Sequence, residues 1–99
     1  MNILRDGETL SISGISELDA ASCRLFKSRL KAALPGNIRR IDIDLSRTRM
    51  DCGGVGALVA LRNCARKQNG EVAIHLLNPT LAVQRLFRLT CMDRLFPIE

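Results

Sequence analysis

This sequence predicts an α/β domain built on a largely parallel central sheet. Three observations carry that reading. Leu10/Ile12, Ile41/Ile43/Leu45 and Ile74/Leu76 alternate with polar residues at the two-residue period of a strand. Each of these runs is followed by a segment whose apolar residues recur at helical spacing. The resulting order, β-β-α-β-α-β-α, contains strand–helix–strand units, which call for parallel neighbours and right-handed crossovers.

The elements follow in order. Asn2 to Arg5 and Thr9 to Ser13 flank Asp6-Gly7, a type I′ turn signal, so a β-hairpin opens the chain. Gly14 ends its second strand. A helix comes next, with Ser16 or Asp19 as its cap; Ser16-x-x-Asp19 resembles a capping box with Asp in place of Glu. Cys23, Phe26, Leu30, Ala33 and Leu34 mark its buried side, and Pro35-Gly36-Asn37 stops it. Arg40 to Ser46 is a strand that turns Ile41, Ile43 and Leu45 one way and Asp42 and Asp44 the other. A strand buried on both faces would be apolar throughout, so either one face is partly open or Asp44 is hydrogen-bonded near the strand end.

The second helix is expected over about Gly53 to Gln68, with Val55, Leu58, Val59 and Leu61 inside and Arg62, Arg66 and Lys67 outside. Its basic last turn suits the helix dipole, and Asn69-Gly70 is a stop. Val72 to Leu77 forms the next strand. Asn78 as N-cap and Pro79 at the first helical position start a third helix, which runs to about Thr90 and buries Val83, Leu86 and Phe87. Leu95-Phe96-Pro97-Ile98 is a short apolar tail, read as a final edge strand or a packed extension.

Composition bounds what such a domain can do. The 99 residues suit one domain spanning 1–99, and a chain of this size buries roughly 65% of its unfolded surface. With 46% apolar, 25% charged and only 3% aromatic residues, the core must be Leu, Ile, Val, Ala and the three Phe. No signal peptide opens the sequence and no apolar run approaches the ~18 residues of a membrane span, so no membrane insertion is expected. Cys23, Cys52, Cys64 and Cys91 are widely spaced and form no C-x-x-C pair. Free thiols in a cytosolic protein, without bound metal, fit that spacing. A net charge of +5 permits acidic partners. The cations alternate with apolar positions as on a solvated helix face, and no aromatics interleave them for base stacking, so direct nucleic-acid binding is not expected.

Enzyme signals are weak, and no cofactor is implied. His75 alternates with Ile74 and Leu76 in a strand and reads as structural. There is no G-x-S-x-G elbow. Gly53-Gly54-Val55-Gly56 opens a helix after a strand, but it lacks the spacing of G-x-G-x-x-G, and no lysine follows to hold a phosphate. Such glycines instead allow close approach of backbone to backbone or to a partner. Asp51 caps the helix or presents a carboxylate to a partner. Cys52 falls at the helix N-terminus, where unpaired N–H groups and a partial positive charge would lower a thiol pKa.

The motifs together resemble the STAS domain (sulfate transporter and anti-sigma factor antagonist). That family shows a strand ending in Asp-Leu-Ser, a short link, Asp-Ser-[Ser/Thr]-Gly-Leu-Gly opening a helix, a Pro-led helix with an Arg-Leu-Phe core, and a closing Leu-Phe. Here they stand as Asp44-Leu45-Ser46, Asp51-Cys52-Gly53-Gly54-Val55-Gly56, Asn78-Pro79, Arg85-Leu86-Phe87 and Leu95-Phe96. Glu17-Leu18-Asp19-Ala20-Ala21 is similar to the family's Gly-Glu-Leu-Asp-Ala-Ala loop, although Gly14 lies early by a short insertion. The resemblance implies a four- or five-stranded, mostly parallel or mixed sheet with about three packed helices and no catalytic site. It implies partner binding through Asp19, Asp51, Cys52, Gly53 and Gly54, with a kinase-like anti-sigma factor as partner. In the family that partner phosphorylates the Ser after the motif Asp, which breaks the complex by adding about two negative charges. Cys52 occupies that position here and Gly53 the next, so the docking surface is expected without its off-switch; Ser46 and Thr48 match no phosphosite in the pattern. Two other readings stand beside it. STAS subunits of ABC-type lipid transporters resemble this chain in carrying Asp-x-Gly-Gly, and they bind the transporter's ATPase. A redox sensor at Cys52 would need a reactive thiolate.

Overall fold

The computed structural model describes residues 1–33, 37–96 and 98. Strands β1 (Asn2–Asp6) and β2 (Thr9–Ser13) form the opening hairpin, paired antiparallel from Asn2↔Ser13 to Asp6↔Thr9. The two-residue loop is therefore Gly7-Glu8, one position later than the Asp6-Gly7 turn expected from the sequence. Gly7 takes the left-handed φ of +61° that the first loop position requires. Strands β4 (Arg40–Asp44) and β6 (Ala73–Leu77) add in parallel to give a mixed sheet in the order β1-β2-β4-β6. Beyond β6, Ile98 makes a single parallel bridge to Leu76, so the tail ends as a packed extension at that edge.

The sheet is one-sided. Leu10, Ile12, Ile41, Ile43, Ile74 and Leu76 point to one face and are buried to 3% exposure or less. They pack with Phe26 and Leu30 of α1 (Cys23–Ala33), with Leu58, Leu61 and Ala65 of α2 (Cys52–Asn69), and with Val83 and Phe87 of α3 (Leu81–Leu89). Each fully buried aliphatic side chain of this kind contributes about 1.5–3 kcal/mol. The other face carries Ser11, Asp42 and His75 in one cross-strand row, all half-buried. Both explanations for the two acids of β4 hold. Asp42 lies on this open face in an ion pair with Arg40 at 2.8 Å, and the Asp44 carboxylate accepts the Ser46 N–H at 3.0 Å.

The structure chooses between the two caps expected for the first helix and moves the cap of the third. Asp19, not Ser16, is the acceptor at the first helical turn. The Ser22 N–H donates to its carboxylate, and the Asp19 N–H donates back to the Ser22 hydroxyl. That reciprocal pair is a capping box three residues downstream of the expected one. Thr80, not Asn78, caps α3: its hydroxyl accepts the Val83 N–H at 3.2 Å. Asn78 sits in the left-handed region with φ 53°, outside the helix, so Pro79 precedes the cap rather than following it. The segment 34–36, which holds the expected Leu34, Pro35 and Gly36, lies outside the described residues, as does Pro97. A short 3₁₀ turn, Met92–Arg94, follows α3 and buries Met92.

Two further strands escaped the sequence reading. β3 (Glu17–Leu18) and β5 (Arg49–Met50) pair in parallel as a separate two-stranded ladder. Arg49 donates its N–H to the Ser16 carbonyl, and Asp51 donates to the Leu18 carbonyl. Thr48, buried to 2%, adds its hydroxyl to the Ile15 carbonyl at 2.8 Å. This ladder draws the start of α2 onto β3. A Cβ on Gly54 would collide with the Leu18 carbonyl oxygen and come within 2.6 Å of Met50 Cγ, and one on Gly53 would meet the Ala20 backbone nitrogen at 2.6 Å. Gly56, two residues further along α2, has open space where its Cβ would be. Gly54→Ala is therefore expected to cost about 1–3 kcal/mol by overpacking. Gly56→Ala should stabilise by about 0.5–1 kcal/mol as an ordinary helix-interior exchange. Urea denaturation of the two variants checks the contrast; equal effects at both positions would contradict the close approach.

Candidate functional site

The β3–β5 ladder brings together residues that lie some thirty positions apart in the chain. Asp51 is the N-cap of α2, in extended conformation with φ −120°, and its carboxylate accepts the Gly54 N–H at 3.1 Å. Its carbonyl accepts from Val55. The capping reading of Asp51 is thus correct, and the residue remains exposed enough to meet a partner with its other carboxylate oxygen. Cys52 is the first helical residue, fully on the surface with a free thiol. Helix geometry leaves the Cys52 and Gly53 N–H groups without an intrahelical acceptor, so the exposed end of α2 presents a partial positive charge.

Asp19 stands across from this helix end. Asp19 and Asp51 share a shallow pocket of about 210 Å³ with Glu17, Arg49 and Met50. Four of the five expected residues, Asp19, Asp51, Cys52 and Gly53, therefore gather at the surface around the start of α2. Gly54 does not join them as a contact residue. It is buried beneath Leu18 and Met50, and its contribution is to let the helix seat. Glu17, Arg49 and Met50 were missed as site residues. Two-residue strands have no periodicity to read, and Arg49 passed for part of a basic link.

The neighbouring hydroxyls differ in access. Ser46 is exposed, while Thr48 is buried and engaged with Ile15. His75 sits half-buried on the open sheet face, opposite Asp42 and away from this site. Among the described residues no group of His, Cys, Asp and Glu could hold a metal ion, and no helix is long and apolar enough to cross a membrane.

The surroundings of Asp19 shift its titration. The Ser22 N–H, and after it the Ser22 hydroxyl, hold its pKa below the ordinary 3.8 by stabilising the carboxylate. A depressed carboxyl stabilises the fold above its unfolded pKa, and that contribution is lost as pH falls through the folded value. The capping box should accordingly loosen only below the usual carboxylate range. An NMR titration of the Asp19 carboxyl carbon is expected to show the low midpoint. Ser22→Ala should raise it part of the way back, since the backbone donor survives; an unchanged midpoint would rule out the hydroxyl's share.

Comparison with known proteins agrees with this geometry. A protein of Thermotoga maritima described as an anti-sigma factor antagonist superposes with a TM-score of 0.81 at 20% identity, covering 98% of this chain and 83% of that one. The anti-sigma factor antagonist SpoIIAA in its unphosphorylated form gives 0.79 at 22% identity, over 99% and 86% of the two chains. The phosphorylated form of SpoIIAA, a Bacillus cell fate determinant, gives 0.70 at 20% identity, over 99% and 89%. No curated protein sequence matches the chain. The family model described as "Mlab, STAS domain" matches residues 2–97, and with the mixed sheet, the three helices and the Asp-capped α2 in place, the chain belongs to the STAS domain family.

Proposed function

We propose that this chain is a non-catalytic, cytoplasmic binding module of the anti-sigma factor antagonist type, which docks a kinase-like anti-sigma factor through the face around the start of α2. The observation that carries the reading is the convergence of Asp19, Asp51, Cys52 and Gly53 on one exposed surface, held there by the β3–β5 ladder. Cys52 stands at the first turn of α2, where a phosphate would meet free N–H donors and change the surface by about two charges. SpoIIAA, similar in fold, has been solved with and without phosphate. A thiol accepts no phosphate by the usual kinase route, so the docking face here is constitutive. Thr48 offers no substitute, because its hydroxyl is buried and hydrogen-bonded.

A second reading is favoured by two observations. The Asp51-Cys52-Gly53-Gly54 run matches the Asp-x-Gly-Gly of STAS subunits that bind an ABC-type lipid transporter's ATPase. The matching family model also carries a description other than antagonist. In that role the same face binds an ATPase, and the missing acceptor is the normal state.

Incubation with the kinase-like partner and ATP should leave the protein without phosphate by mass spectrometry. Cys52→Ser should gain one phosphate and lose affinity for the partner in the same experiment. Stoichiometric phosphate on Ser46 in the native chain would defeat the constitutive reading. Co-purification with a stable ABC ATPase would replace the first partner by the second.

A further inference from the structure

A second concave site lies near the opposite end of α2. Arg66 is fourteen residues along the helix from Cys52, a distance of about 21 Å at the helical rise. There Arg39, Arg62 and Arg66 line a pocket of about 390 Å³, with Val72, Ile74 and Phe96 as its apolar wall. Leu95 stands at its edge, 44% exposed, and Glu71 contributes one acid.

The arginines come from separate elements. Arg62 and Arg66 are one helical turn apart on α2, where such residues are neighbours. Arg39 precedes β4 and is placed by its carbonyl, which accepts the Ala73 N–H at 2.9 Å. Its guanidinium also donates to the Asn69 carbonyl at 3.4 Å. Among the described residues Arg62 and Arg66 make no ion pair, although Glu71 shares the pocket.

The helix dipole explains only part of this. Arg66 and Lys67 are in the last turn, where cations offset the partial negative charge of the terminal carbonyls. Arg39 reaches the same helix end by donating to the Asn69 carbonyl, but Arg62 lies further back and is not needed for that purpose. Like charges one turn apart on a helix repel, a strain that a bound anion would relieve. Forked guanidinium groups suit phosphoryl oxygens, which they can hold with paired hydrogen bonds. A bare phosphate would leave the half-buried Val72 and the exposed Leu95 uncovered.

The geometry points to a binding site for a phosphate ester with an apolar substituent, either a soluble ester or the headgroup of an anionic lipid. Arg62, Arg66 and Arg39 hold the phosphate, and the apolar part rests on Val72 and Leu95. This site is independent of the docking face and of what binds there.

The test is an NMR titration of the whole chain at constant ionic strength with inorganic phosphate, phenyl phosphate, and phosphatidylcholine vesicles with or without phosphatidic acid. If the ligand is soluble, phenyl phosphate should shift the Val72, Leu95 and Phe96 amides saturably and bind more tightly than inorganic phosphate. If it is a headgroup, the phosphatidic acid vesicles should perturb the same amides and plain vesicles should not. Arg62→Ala with Arg66→Ala should weaken either response by about tenfold or more, as the loss of charge-assisted hydrogen bonds requires. Lys27→Ala with Lys31→Ala on α1 should leave it unchanged. Arg39→Gln repeats the test on the third cation should the double variant fail to fold. Absence of a saturable response to both the ester and the phosphatidic acid vesicles overturns the proposal, as does an undiminished response in the arginine variants.

Discussion

The contact on which the proposed docking face depends is the approach of one backbone to another where α2 meets β3. Gly54 lies against the Leu18 carbonyl with no room for a side chain, and Gly53 lies nearly as close to Ala20. Because the helix seats this deeply, Asp51 can cap it while its N–H still donates to Leu18. Because Leu18 is fully buried and its neighbour Asp19 is not, the same two-residue strand anchors in the core and delivers a carboxylate to the surface. Glycine here serves proximity, since neither residue has the left-handed φ that would demand glycine by itself.

Much of the fold was legible in the sequence, for reasons that particular residues make plain. Ile41, Ile43 and Leu45 alternate with Asp42 and Asp44, and all three apolar residues are fully buried, the first two in a sheet with one open face and Leu45 just past the strand's end. Gly70 ends α2 with its N–H on the Arg66 carbonyl, as a glycine stop should. What failed were signals shorter than a period. β3 and β5 are two residues each, so neither displays alternation, and their pairing joins positions some thirty residues apart. The sequence left Ser16 and Asp19 open as caps of α1 and favoured Asn78 over Thr80 for α3, because all four are competent cap residues. Tertiary placement chose between them: β3 occupies the stretch after Ser16, and Asn78 is used for a left-handed turn.

The candidate site was readable in part. The family motif picked out Asp19, Asp51, Cys52 and Gly53, and the fold gathers them. It also picked out Gly54, which the same fold buries. A motif records which residue types recur together without separating those that touch a partner from those that allow the touching residues to assemble. The distinction between Gly53, half-buried beside Ala20, and Gly54, covered by Leu18 and Met50, exists only in three dimensions.

The separateness of the β3–β5 ladder also bears on how the molecule fluctuates. The four-stranded sheet is held by long runs of paired backbone over a packed aliphatic layer, so its opening approaches global unfolding. The small ladder has two paired residues per strand and is reinforced by the buried Thr48 hydroxyl. Local opening there breaks few hydrogen bonds and leaves the main sheet intact. The ladder can thus open and exchange its amides as a small unit apart from the main sheet. A partner that clamps both Asp19 and Asp51 would slow that exchange without altering the rest of the domain.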